Sequence, residues 1–226
     1  GARGALRLVP PEAPLRRSEA PWLAGVIVSG GIVGPLLLML GLARTDAATG
    51  SLLLNLESLA TMAIAWLAFR ENVDRRLLLG AFAILAGALA LSWPGRGAAL
   101  DLGALLIAGA CLAWGIDNNL TRRLSAADPV QIAMIKGLVA GTANLMLALA
   151  QGAALPGTSA ILAAALVGFL GYGVSLVLFV LGLRHLGTAR TGAYFALAPF
   201  IGAVLAGLFL GDPLTIHLIV AGSLMA

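Results

Sequence analysis

The sequence predicts an all-α, polytopic membrane protein arranged as an inverted repeat, and three observations predict it. The 226 residues are 60% hydrophobic and 11% charged, with a mean hydropathy of +1.00, whereas soluble domains carry about 25% charge. The apolar residues fall in runs of the roughly 20 residues that cross a bilayer. The arginines sit in the connectors between those runs and alternate from one side to the other, as membrane topology requires.

The polar opening segment, residues 1–20, carries four Arg and three Pro. It reads as a solvated loop or arm, and without an initial Met it suggests that the natural N-terminus lies upstream. Seven full spans follow, at 22–43, 47–69, 77–93, 102–121, 129–150, 160–183 and 188–210. An eighth begins near Leu214 and is cut short at Ala226.

The connectors test that count. One side holds Arg3, Arg7, Arg16, Arg17, Arg70, Arg75, Arg76, Arg122, Arg123, Arg184 and Arg190; the other holds Arg44 and Arg96. The asymmetry places residues 1–20 in the cytoplasm. Topology therefore explains the net charge of +4 better than nucleic-acid binding does. Cys111 stands alone and reads as a small buried hydrophobe. With only two His there is no metal set, and no cofactor is expected. No HExxH, Ser/His pair or paired Asp at a Gly-rich turn suggests an enzyme.

A repeat runs through the chain. Gly30–Leu42, GGIVGPLLLMLGL, aligns with Gly171–Leu183, GYGVSLVLFVLGL, at an offset of 141. Ala47, Thr49 and Gly50 match Ala189, Thr191 and Gly192 after a one-residue slip, and Gly80 matches Gly222. Chance matches of common Gly and Leu are the competing explanation. The first and sixth spans run in opposite directions, so the repeat is inverted, the architecture of alternating-access transporters.

Several polar residues lie inside spans. Glu57 sits near the middle of its span, with Asn55, Ser58 and Thr61 beside it. A carboxylate at that depth costs about 2.5–3.5 kcal/mol on insertion scales and usually faces a bundle interior. Its two readings are a proton-exchanging coupling group and a structural carboxyl between helices. Asn55, Ser58 and Thr61 either line the same cavity or bond neighbouring helices. Asp117, Asn118 and Asn119 follow Trp114, and Lys136 lies at a similar depth in the next span, so an Asp117–Lys136 ion pair is expected. It serves either to join two helices or to line a polar vestibule. Asn144 shares the Lys136 face, and Gly137 and Gly141 form a small-residue strip expected to pack against a helix. Tyr172 and Tyr194 read as packing or anchoring groups, with cargo stacking as the alternative. Trp22 and Trp93 read as belt residues, and Pro35 and Pro199 as kinks.

The stretches NLESLATMAIAWLAFRE, IDNNLTRRLSA and LRHLGTARTGAYFALAPF, with the twice-used pattern GLARTDAATG…WLAFRENVD and GLRHLGTARTG…LFLGDPLT, resemble the drug/metabolite transporter superfamily, EamA type. The likeness covers nearly the whole chain after residue 20. It implies ten spans in two inverted five-helix halves, both termini in the cytoplasm, a bacterial inner-membrane location and export of small metabolites. On that pattern 21–94 is the remainder of a first half lacking two spans, and 100–226 is a second half truncated in its last helix. Pro199 and Asp212 match the family's "P…E" pattern, while Glu57 stands where the first half would have Pro. The expected partners are the lipid bilayer, a small-molecule cargo such as an amino acid, and protons, with a homodimer left open. The rival reading is a membrane scaffold without cargo.

Overall fold

In the computed structural model, residues 13–70, 74–92, 101–186, 191, 194–195, 197–213 and 215–225 are described. Trp93, Arg96, Arg190, residues 1–12 and the repeat matches at 189 and 192 lie outside them. The described residues form helices and connecting loops, without a strand. In chain order the helices are α1 (Arg17–Leu42), α2 (Ala47–Phe69), α3 (Arg75–Ser92), α4 (Leu102–Leu124), α5 (Pro129–Ala150), α6 (Thr158–His185), α7 (Ala198–Phe209) and α8 (Ile216–Met225).

Helices α1, α2, α5 and α6 are long and apolar enough to cross a bilayer. At 23 residues α4 is long enough, but its last third carries Asp117, Arg122 and Arg123. The span expected at 188–210 is helical over Ala198–Phe209, and much of its first half lies outside the described residues.

Local chemistry sets the helix ends. Asp46, Asp101 and Asp128 cap α2, α4 and α5 by accepting from Thr49, Ala104 and Val130 backbone N–H groups at 2.8, 3.0 and 2.8 Å. Pro129 follows at the first turn of α5, where a missing N–H costs nothing. Arg70 ends α2 in the left-handed region at φ 55°, its N–H bonded to the Ala65 carbonyl.

The bundle is organised around α4, which packs against α1, α2 and the second half of α6. Lipid supplies no hydrophobic drive for this association, so close van der Waals approach and interhelical bonds carry it. The glycines of α1 permit that approach. A Cβ on Gly41 would lie 2.7 Å from Ile107 Cγ1, and one on Gly34 would lie 2.7 Å from Trp114 Nε1. Gly115 does the same for α2, where a Cβ would stand 2.9 Å from Ala60 Cβ. The strip of Gly137 and Gly141 is exposed, and a Cβ on either would meet no described residue within 4 Å. Residues 136, 140 and 144, one step round the helix, took the interface instead.

The two ends of the bundle are tied differently. At the end shared with the N-terminal arm, Asp128 N–H donates to the Ala13 carbonyl, and Arg184 donates to the Ser125 and Ala127 carbonyls at 2.7 Å each. The Arg123 guanidinium lies 4.4 Å from the Trp22 ring centre and 5.3 Å from that of Phe69. At the far end, Asp212 accepts from the Ala48 backbone N–H at 2.8 Å, joining the α7–α8 connector to the start of α2.

Two helices carry a π turn. A seven-residue π-helical turn occupies Ile27–Val33 in α1, and another occupies Gly168–Val174 in α6. The offset between them is 141 at both ends, the offset of the sequence repeat. Helix α2 breaks at Leu54 and Asn55, where i→i−3 bonds run from Leu54 N–H to Ser51 and from Asn55 N–H to Leu52. Glu57 therefore lies in the first turn of a half-helix, the end whose dipole favours negative charge.

Candidate functional site

Five helices bring polar groups to one level of the bundle. From α4, the Asn118 side-chain amide donates to Glu57 Oε1 at 2.8 Å and to Thr61 Oγ1 at 3.1 Å. Asn119 donates to the Thr61 and Gly115 carbonyls at 3.0 and 2.8 Å. Asp117 is 4% exposed and pairs with Lys136 of α5, which is 2% exposed. Thr121 donates to the other Asp117 oxygen at 2.9 Å. The two acidic sites are thus adjacent, because Asp117 and Asn118 are neighbours in the chain.

The first π turn belongs to the same cluster. The wider turn breaks the regular i→i−4 ladder, and the Gly30 and Gly31 carbonyls accept from side chains of other helices. Trp114 Nε1 and the Tyr172 hydroxyl donate to Gly30 at 3.0 and 3.1 Å, and Asn144 donates to Gly31 at 2.8 Å. Gly30 has no room for a side chain, since a Cβ there would overlap the Asp117 carboxylate. At Gly31 a Cβ would stand 2.6 Å from Ala140 Cβ.

Of the residues singled out in the sequence, Glu57, Thr61, Asp117, Asn118, Lys136, Asn144 and Tyr172 come together here. Asn55 does not join them. It is 2% exposed and donates to the Leu52 carbonyl at 3.0 Å and to Met225 Sδ at 3.9 Å, on the opposite side of the α2 break. Positions two apart on a helix point to different faces, so its side chain departs from the Glu57 face. Ser58 is half-buried and, among the described residues, contributes no side-chain bond to the cluster. Tyr194 is 70% exposed and stands apart from it. Cys111 is fully buried, its thiol 3.7 Å from the Leu53 carbonyl. Among the described residues no group of three His, Cys, Asp or Glu forms a metal-ligand set.

Sequence reasoning missed Thr121 and the Gly30 and Gly31 carbonyls, and named Trp114 without a role. The Gly-Gly pair at the head of the repeat was the available signal, but side-chain patterns do not register a backbone acceptor. Two cavities lie at opposite ends of the bundle. One of about 390 Å³ is almost wholly apolar and lies at the far end between α2 and α7, away from the polar chemistry. The other, about 300 Å³, is lined by Phe69, Asn119, Arg122 and Arg123 and opens at the arm end beside the cluster.

With this geometry in place, the comparisons with known proteins are specific. The chain matches the EamA-like transporter family over residues 5–93 and 101–226. It is 30% identical over 222 residues to an uncharacterised transporter of Methanothermobacter thermautotrophicus, covering 95% of this chain and 64% of the relative. It is 36% identical over 177 residues to an uncharacterised protein of Pseudomonas aeruginosa, covering 76% of this chain and 59% of that protein. The chain thus spans about six-tenths of the length of these relatives. A solved crystal structure shares the fold at a TM-score of 0.69 and 20% identity, over 93% of this chain and 74% of the solved one. Two family matches that together take in nearly every residue, on a multi-pass helical bundle, make this chain a member of the EamA-like transporter family.

Proposed function

We propose that the chain works in a secondary transporter of small metabolites, an exporter of amino acids or related compounds in the bacterial inner membrane. It operates by alternating access, with residues 1–20 cytoplasmic and Glu57 as its proton-coupling group. The divisions at 21–94 and 100–226 are the two inverted halves in this reading. The observation that carries it is the poor structural return on Glu57. Among the described residues its carboxylate receives one side-chain bond, from Asn118. An average membrane-embedded hydrogen bond, about 0.6 kcal/mol, and the half-helix N-terminus, about 0.3–1 kcal/mol, together fall short of the about 2.5–3.5 kcal/mol for an acid at that depth. Packing alone does not repay the carboxylate, so its retention points to work on protons or cargo.

Asn118, itself bonded to Thr61, holds the Glu57 side chain, and the arm-end cavity beside Asn119 provides an approach for cargo. Asp117 and Lys136 supply a fixed, paired charge next to it. The decisive test reconstitutes the full-length protein in liposomes. Flux of a panel of amino acids and small metabolites is followed with and without a pH gradient, for wild type and Glu57→Gln. Gradient-driven flux that disappears in the variant is expected. Equal flux in both proteins would reduce Glu57 to a packing group, and no flux from either would favour a scaffold.

A further inference from the structure

The two π turns are equivalent in the repeat but not in their surroundings. In the first, Ile27, Gly30 and Gly31 are buried, three side chains from α4, α5 and α6 hold its carbonyls, and Gly30 and Gly31 are demanded by the neighbours they touch. In the second, no residue is buried, and a Cβ on Gly168 or Gly171 would meet nothing within 4 Å. Among the described residues, nothing packs closely against those two glycines. What they contribute is a compliant backbone.

The turns also touch. Tyr172, inside the second turn, donates its hydroxyl to Gly30, inside the first. Its repeat equivalent is Gly31, so the contact has no mirror image. The helices cross in opposite directions at this point, which is where two inverted halves must move if one is to rock against the other.

We infer that the second π turn is the moving joint of the transport cycle and that the Tyr172–Gly30 bond is its catch, an inference that rests on the transport reading above. A π turn holds one residue more than the α turn it replaces. When Gly168–Val174 anneals to α geometry, the two halves of α6 turn relative to each other by about 100°, one residue of a 3.6-residue turn. That rotation withdraws Tyr172 from Gly30. The first turn stays fixed, because straightening it would strip three donors of their acceptors and push α1 into Asp117 and Ala140. Motion is thereby confined to α6, whose second half packs against α5 and α4 and whose Arg184 holds the α4–α5 connector.

The experiment measures spin-label distances in the full-length protein in nanodiscs. The native Cys111 is fully buried and stays unlabelled. One label pair reports on the second turn, at Leu178→Cys and Leu138→Cys, both more than half exposed. A control pair, Met39→Cys and Leu112→Cys, reports on the first. The expected result is two distances for the first pair and one for the control. Tyr172→Phe keeps the ring and loses the catch, and should raise the minor population about threefold, the effect of losing one average membrane hydrogen bond. Gly171→Ala, which meets no described neighbour and favours α geometry, should also raise that population, with KM unchanged. A single distance insensitive to both substitutions overturns the joint, as does a Tyr172→Phe effect confined to KM. Two distances in a protein that moves no cargo would retain the joint and refute transport.

Discussion

At the scale of single residues, Asp117 and Lys136 show how burial sets the stakes. Both are almost fully enclosed. Removing one partner leaves a bare charge and costs about 3–5 kcal/mol, whereas replacing both with apolar groups is often close to neutral. Lys136→Met should therefore lower the melting temperature sharply, and Lys136→Met with Asp117→Leu should regain most of the loss. A double variant as unstable as the single one would count against this account. The pairing was legible because depth follows from counting residues at a fixed rise per residue. The neighbouring Gly30 was not, since its job is to leave space for the Asp117 carboxylate. Gly30→Ala should break that packing and lower the yield of folded protein, measured by size-exclusion chromatography in detergent, while Gly171→Ala should not.

At the scale of elements, the positions of the helices could be read from apolar run length, and their ends from Asp, Pro and Gly in the connectors. The two π turns could not. An extra residue in a helical turn alters no hydropathy, and lipid-facing and buried stretches of a membrane helix look alike in composition. The break in α2 was equally silent. Asn55, at the break, faces Met225, and Glu57, just beyond it, faces Asn118. The far-end tie from Asp212 to the start of α2 is an element-level device as well. A carboxylate on a first-turn N–H is worth about 1 kcal/mol, so Asp212→Ala should lower stability by about that much in a thermal melt. A larger fall would mean that the connector does more than cap a helix.

At the scale of the molecule, the charge asymmetry and the repeat carried the architecture, because both are sums over many residues and tolerate local error. Their combined claim is checked by cysteine labelling from each face of intact cells. Arg17→Cys and Ser125→Cys are expected to react only from the cytoplasm, and Thr45→Cys and Ala153→Cys only from outside. Reaction of either pair from the opposite face would reverse the topology. The asymmetry between the two π turns escaped the repeat signal for a related reason. Alignment reports what two halves share, and Tyr172 against Gly31 is where they differ.

Arg70 is the one non-glycine residue with a left-handed backbone among those described. A side chain there costs about 1–2 kcal/mol that glycine would avoid. Yet this position stands just before Arg75 and Arg76, in a connector whose cations help decide which way a hairpin enters the membrane. Glycine would suit the finished fold, and arginine suits its making. Arg70→Gly should thus melt a few degrees higher while a larger share of newly made chains inserts upside down. At this position the most heat-resistant sequence and the most faithfully assembled one are different sequences.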